Sequence, residues 1–419
     1  MIHELILRNC VLLGSSEQVD IVISDAVVVA IEPKTTAKGK LELDCLGAFV
    51  SPPFVESHIH LDSVFTAGEP YFNKSGTLFE GIEIWKQRKK LLTYEDVQKR
   101  ALRALQVMAE HGVLFVRTHV DVTEYNLLAL TALLDLREQV KNWMTLQVVA
   151  FPQDGIFSKS EHLPLLKEAM KQGVDVIGGI PHYELTREDG VRSIQTVFDL
   201  AEQYGTLIDI HCDEIDDEQS RFVETIVAEA IKRGNGSQVT ASHTTAFASY
   251  NDAYADKLMG FLQRTNINFV ANPLINITLQ GRMDSYPKRR GVTRVKELIE
   301  HGQNLSLGQD CIADPWYRLG TGSMLDVAYM IVHVSQMTGQ KELESCFEMI
   351  THNGAKTLAV EHYGITVGQK ADMIVLNASD PIEAISKRLM PRYVISNGAL
   401  IAQTIPASTH FESNKLSNP

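Results

Sequence analysis

The stretch Phe49-Val50-Ser51-Pro52-Pro53-Phe54-Val55-Glu56-Ser57-His58-Ile59-His60-Leu61-Asp62 runs from an apolar segment into two histidines spaced i, i+2. On a strand, side chains at i and i+2 share one face. His58 and His60 can therefore meet a single metal ion from the end of one strand. Alone, the pair can also be read as two polar residues closing a strand. The rest of the chain decides between the two.

Beyond this stretch the chain alternates. Short β-branched runs occur at 113–120, 145–151, 174–180, 206–211, 238–242, 267–271 and 304–308. Amphipathic stretches of helical period separate most of them. Thr93 to His111 is representative: Thr93 suits an N-cap, Glu95 and Asp96 fall in the first turn, and Gly112 suits C′. Gly173 and Gly302 close helices just before the next strand. With the run ending at His58, eight strands fit into roughly 260 residues. That count predicts a (β/α)8 TIM-type barrel, with a doubly wound open sheet as the alternative. There is no internal repeat and no low-complexity linker.

The two ends differ from this middle. Asp20 to Ile31 has two β-branched arms around a turn-like Asp25, and no helix is evident over 1–50. Gly368–Leu376 and Tyr393–Ile401 also read as strands, the second with an Asn397-Gly398 hairpin signal. The expected organisation is a small β-sandwich domain from residues 1–50 plus 360–419 and a barrel over 51–359. The polar tail after Gln403 is expected to fray.

Composition narrows the function. The chain has 419 residues, 44% hydrophobic and 22% charged, with a formal net charge of −13. An acidic surface repels phosphate backbones, so a nucleic-acid polymer is not an expected partner. The basic run Pro287-Lys288-Arg289-Arg290 reads as a solvated loop. Cys10, Cys45, Cys212, Cys311 and Cys346 are odd in number and form no C-x-x-C, which argues for a reducing compartment. Met1-Ile2-His3-Glu4 lacks a basic leader region, and no run of about 18 apolar residues exists. A cytoplasmic chain without a membrane span is expected.

In a barrel of this kind, active-site groups sit at the C-terminal strand ends. Strand 1 ends in His58-Ile59-His60 and strand 3 in Phe151-Pro152-Gln153. Strand 5 ends in His211-Cys212-Asp213-Glu214, strand 6 in His243-Thr244, and strand 8 in Gln309-Asp310-Cys311. Four histidines, a Glu and an Asp thus gather at one mouth. His119 and Asp121 after strand 2, and His182 after strand 4, are read as supporting residues. His3, His111, His162, His301, His362 and His410 have no strand-end placement and are expected at the surface.

The ordered set H-x-H, His, His, Asp on strands 1, 5, 6 and 8 resembles the amidohydrolase superfamily. Within it the chain resembles the bacterial cytosine deaminases over nearly its full length. The motifs that carry this are Pro52–Asp62, Ser75-Gly76-Thr77-Leu78-Phe79-Glu80-Gly81-Ile82-Glu83, Val116–Asp121, Ile208–Ser220, Val239–Thr245 and Tyr286–Gly291. The resemblance implies one divalent metal held by His58, His60, His211 and Asp310. Imidazoles and one carboxylate suit a borderline ion rather than Mg2+ or Ca2+, with Fe2+ first and Zn2+ next. It further implies hydrolytic deamination of a free nucleobase, with water as co-substrate. Asp310 takes the water's proton, His243 orients the nucleophile, and Glu214 protonates ring N3 and the leaving amine. Gln153 would read the pyrimidine edge, and Leu78, Phe151 and Trp316 would wall it. Relatives of this type assemble, so a homo-oligomer is expected.

The chain departs from that family at strand 8. The family reads Gly-His-Asp-Asp, whereas here the sequence is Gly308-Gln309-Asp310-Cys311. The second Asp, which lines the pocket, becomes Cys311, a small and effectively apolar side chain. The expected consequence is room for a methyl at ring C5, making 5-methylcytosine (to thymine) a substrate beside cytosine (to uracil). Another ring substrate, such as isoguanine or creatinine, is the alternative within enzymes. An inactive metal-binding scaffold is the alternative outside them.

Overall fold

The computed structural model describes residues 2–405. The tail expected to fray falls mostly on 406–419, and His410 with it, outside the described residues. Sixteen strands are present among those described. The N-terminal five are β1 (Ile2–Leu12), β2 (Gln18–Ser24), β3 (Val27–Glu32), β4 (Lys38–Asp44) and β5 (Phe49–Ser51). Eight follow with helices between them: β6 (Phe54–Ile59), β7 (Val113–Asp121), β8 (Thr145–Phe151), β9 (Val176–Gly179), β10 (Leu207–Cys212), β11 (Val239–His243), β12 (Asn268–Ala271) and β13 (Asn304–Leu307). The last three are β14 (Met373–Val375), β15 (Tyr393–Ser396) and β16 (Ala399–Gln403).

Strands β6 to β13 pair in chain order, every pair parallel, and form the (β/α)8 barrel. A parallel bridge between Ile59 and Asp310 joins the last strand region to the first. Because helices cover the outside and side chains fill the inside, all nine residues of β7 are buried. The helix read from Thr93 runs from Tyr94 to Glu110. Thr93 Oγ1 caps Asp96 N, His111 is the C-cap, and Gly112 follows at φ +86°.

The second sheet is mixed and drawn from both termini, in the order β16-β15-β14-β5-β1-β2-β3 with β4 on β1. It folds around its own core, which includes Leu5, Leu7, Ile21, Ile23, Met373 and Ile395. Its hairpins turn at Asp25-Ala26 and Asn397-Gly398, where both central residues have positive φ. That is the geometry of type I′ turns, which match strand twist. The opening stretch is where the chain passes between the two sheets. β5 pairs with β1 and β14, while β6 pairs with β7. Pro52 and Pro53 lie between, and neither can donate a ladder hydrogen bond, so β5 cannot continue.

Inside the barrel a polar layer lies beneath the strand ends. Arg117 (β7) and Asp209 (β10) are fully buried and pair at 3.0 Å. Gln147, Thr240 and the Thr357 carbonyl accept the other guanidinium hydrogens. Ser242 Oγ donates to the second Asp209 oxygen at 2.6 Å. Such saturation offsets the desolvation of the two charges. Among the described residues no helix is long and apolar enough to cross a membrane.

Candidate active site

His58 and His60 leave the end of β6 on the same side, as their spacing requires. Their Nε2 atoms lie 3.2 and 3.1 Å from His211 Nε2, at the end of β10. Asp310 Oδ1 lies 3.3 Å from both. Glu56 fixes this approach: its buried carboxylate accepts the backbone N–H groups of His58 and Gln309, each at 3.0 Å. Gly308 is equally constrained, since a Cβ there would stand 2.3 Å from Asn272 Oδ1 and 2.7 Å from His58 Cβ. His243 and Asp310 both adopt φ of +68°, a strained conformation for non-glycine residues that collects at functional sites.

The donor set fits a divalent cation. A tetrahedral shell at about 2.0–2.1 Å has ligand–ligand edges of about 3.3–3.4 Å. Four of the six donor–donor distances are 3.1–3.3 Å. Only one proton can sit between two Nε2 atoms, so three imidazoles this close set lone pairs against each other unless a cation lies between them. Asp310 Oδ1 is buried without a hydrogen bond, which is a further sign of a missing partner. Burial and the neighbouring His119 lower His58 to about 4, and burial holds His211 well below the usual histidine range. Both are thus neutral and able to ligate. His243 also offers a nitrogen within 4.8 Å of His58, His211 and Asp310, and His119 does so toward His58 and His60.

Two carboxyls at this site are driven apart in acidity. Burial, reinforced by the Asp310 charge, pushes Glu214 well above the usual carboxylate range. Burial raises Asp310 too, but the imidazoles of His58 and His60 beside it, each 3.3 Å away, outweigh it and hold Asp310 well below that range. Paired groups separated in this way mark a proton donor beside a proton acceptor. Glu214 Oε1 stands 3.3 Å from His243 Nδ1. Two residues absent from the sequence reading complete the cluster: Asn272 and Asn276, both fully buried, aim their amides at His243. Their only sequence signal is i, i+4 spacing on a helix that starts where β12 ends.

A cavity of about 470 Å3 opens above these groups, lined by His60, His211, Glu214 and Asp310 together with Leu78, Gln153, Cys311 and Trp316. Phe151, expected as a wall, does not line it. It is fully buried and stacks on the His211 ring at 4.0 Å and 16°, so it backs His211 instead. Cys311 packs with Ile275 and Leu279, and Leu78, Trp316 and Tyr317 lie against that cluster. Burial and the Asp310 charge push its thiol well above the usual range, so it stays protonated.

The Trp316 wall depends on a helix glycine. In α1 (Leu78–Arg88), a Cβ on Gly81 would meet Trp316 Cδ1 at 2.3 Å and Nε1 at 2.6 Å. Gly81→Ala is therefore expected to displace the indole and raise KM about tenfold, with a smaller change in kcat. Steady-state kinetics checks this, and an unchanged KM would show that the wall does not touch substrate.

The remaining histidines follow their placement only in part. His119 is buried with its ring 3.9 Å from that of His58, and His182 lines the cavity. Asp121 binds the buried Lys89 ammonium at 3.0 Å and the Trp85 indole N–H at 3.3 Å. His362 is exposed, while His3, His111 and His301 are half-buried. His162 corrects the surface reading. It is buried, because it opens a helix beneath the loop after β8, with its Nδ1 2.7 Å from the Gly155 carbonyl.

Known proteins share this architecture. The structure superposes on that of 5-methylcytosine deaminase from Klebsiella pneumoniae liganded with phosphonocytosine, with a TM-score of 0.93 and 44% identity, covering 97% of this chain and 100% of that one. The same enzyme liganded with 5-fluorocytosine gives a TM-score of 0.95 over 98% and 100%. In sequence, the chain is 31% identical over 412 residues to N-isopropylammelide isopropyl amidohydrolase of Pseudomonas sp. (strain ADP), 96% of this chain and 97% of that protein. It is 27% identical to a pterin deaminase of Rhizobium rhizogenes over 92% and 88%. A family model described as amidohydrolase family matches residues 42–402, and with that match and these relatives the chain belongs to the amidohydrolase family.

Proposed function

We propose that the chain deaminates a free cytosine-type base by hydrolysis, with 5-methylcytosine preferred over cytosine. The observation that carries this is Cys311, uncharged and set among Ile275, Leu279, Leu78 and Trp316 at the cavity wall beside Asp310. A ring methyl placed there gains roughly 0.8 kcal/mol from burial, about fourfold, before any relief of a clash. The 44% identity to a 5-methylcytosine deaminase supports the same substrate class.

His58, His60, His211 and Asp310 would hold one divalent ion, Fe2+ first and Zn2+ second. Bound there, such an ion draws the pKa of a coordinated water from about 15.7 toward about 7 and so supplies the nucleophile at neutral pH. Asp310, the stronger acid of the two carboxyls, accepts the proton of the attacking water. His243 hydrogen-bonds that water and fixes its direction. Glu214, kept protonated by burial, delivers its proton to ring N3 and then serves the departing ammonia. Gln153 offers one carbonyl and two N–H bonds to the ring edge. All five cysteines are free thiols, which supports a reducing compartment such as the cytoplasm.

The test is ammonia release from a panel of free bases that includes cytosine, 5-methylcytosine, isoguanine and creatinine. The ratio of kcat/KM is expected to favour 5-methylcytosine, and a hundredfold preference for cytosine would sink the proposal. Cys311→Asp is expected to move that ratio toward cytosine by about 10–100-fold, because a buried carboxylate beside Asp310 and Asp314 cannot accept a methyl. A ratio unchanged within twofold would remove Cys311 from the specificity.

A further inference from the structure

The proposed chemistry gives Glu214 and His243 separate tasks, and one uncharged side chain touches both. Asn276 lies in the helix Pro273–Leu279 and is fully buried. Its Nδ2 stands 3.1 Å from Glu214 Oε1 and 3.1 Å from His243 Nδ1. A carboxamide NH2 carries two N–H bonds, so it can donate to both at once. Asn272, one helical turn earlier, sets its own Nδ2 3.2 Å from the same His243 nitrogen. Asn272 Nδ2 lies farther from Nε2, at 3.4 Å, so Nδ1, with two amide donors at 3.1–3.2 Å, is the acceptor and the ring proton falls to Nε2.

We infer that Asn276 is a positioning residue for the reaction, holding His243 in its Nε2–H tautomer and keeping the Glu214 proton for the substrate. Glu214 Oε1 is only 3.3 Å from His243 Nδ1. Without the amide, a protonated Glu214 would donate to that nitrogen. The Glu214 O–H would then be spent in a hydrogen bond to His243 rather than aimed at the ring, and His243 would lose its fixed orientation. The Asn276 amide fills the acceptor on His243 and the lone pair on Glu214 in one contact. It therefore divides the labour between the two groups while carrying no charge itself.

This rests on the acid–base role proposed for Glu214, so the experiment separates the two. Metal-loaded wild type, Asn276→Asp, Asn276→Ala, Glu214→Gln and the Glu214→Gln/Asn276→Ala double variant are compared by kcat and KM for 5-methylcytosine and by metal content. Asn276→Asp keeps the side chain's shape and removes its donors, so it reports even where Asn276→Ala folds poorly. Each single Asn276 variant is expected to lose about 10²-fold in kcat, with KM within about threefold and metal content unchanged. The double variant is expected to lose at least about tenfold less than the product of the single losses, since both act on one proton. Asn276→Asp with kcat within threefold of wild type overturns the inference, as does a fully multiplicative double variant or a loss that follows metal content. A wild type that releases no ammonia from any free base overturns the proposed function, and the inference with it.

Discussion

Glu214→Gln is expected to lower kcat by about 10³-fold while KM stays within about threefold and metal content is unchanged. The substitution keeps the length of the side chain and an oxygen for Asn276 Nδ2, 3.1 Å away. What it removes is a transferable proton. Deamination needs one proton on the ring and another on the departing amine, and Glu214 is the cavity carboxyl that burial keeps protonated beside His243. Asp310 is held ionised by His58 and His60, and burial lowers His243 to about 3, so neither replaces the lost donor. The measurement is ammonia release under saturating base, with metal analysis of the same sample. A loss below tenfold would exclude Glu214 as general acid.

Stripping the ion with a chelator is expected to reduce ammonia release below about 0.1% and to lower Tm together with it. One equivalent of Fe2+ should restore both, and Zn2+ should restore the stability with part of the rate. The proposed ligands come from the ends of β6 and β10 and the segment after β13, so an ion there would tie together parts of the ring that are far apart in sequence. Ligand binding stabilises a folded chain by about 4 kcal/mol at a thousandfold excess over Kd. Three imidazole nitrogens at 3.1–3.2 Å have no such compensation when the ion is gone. Activity and Tm unchanged after exhaustive chelation would remove the metal from the proposed function.

Much of the fold was legible because strand period and helix caps are local. The eight barrel strands lie within two residues of the β-branched runs, and Thr93 and Gly112 bracket their helix as their chemistry dictates. The His and Asp residues at the strand ends also converge, because a parallel barrel delivers every strand end to one mouth. What sequence could not give is direction. Phe151 and Gln153 lie two residues apart near the end of β8, yet one backs His211 and the other faces the cavity. Asn272 and Asn276 carry no charge and read as loop-forming residues, so only the contacts of their helix reveal them. Gly81 looks like a weak spot in a helix until Trp316 is seen resting on it. His162 was misjudged because a helix's first residue can turn inward as easily as outward.

The bridge between Ile59 and Asp310 also has a kinetic meaning. Joining residues about 250 positions apart is among the costliest loop closures this chain makes, and contacts of high sequence separation form slowly. The proposed ion seat includes Asp310 at that seam, so it is incomplete on a nascent chain that stops short of residue 310. The full proposed ligand set would therefore be offered only by a ring that has already closed. An ion held by His58, His60, His211 and Asp310 would act as a clasp on the completed circle, fastening its last strand end to its first.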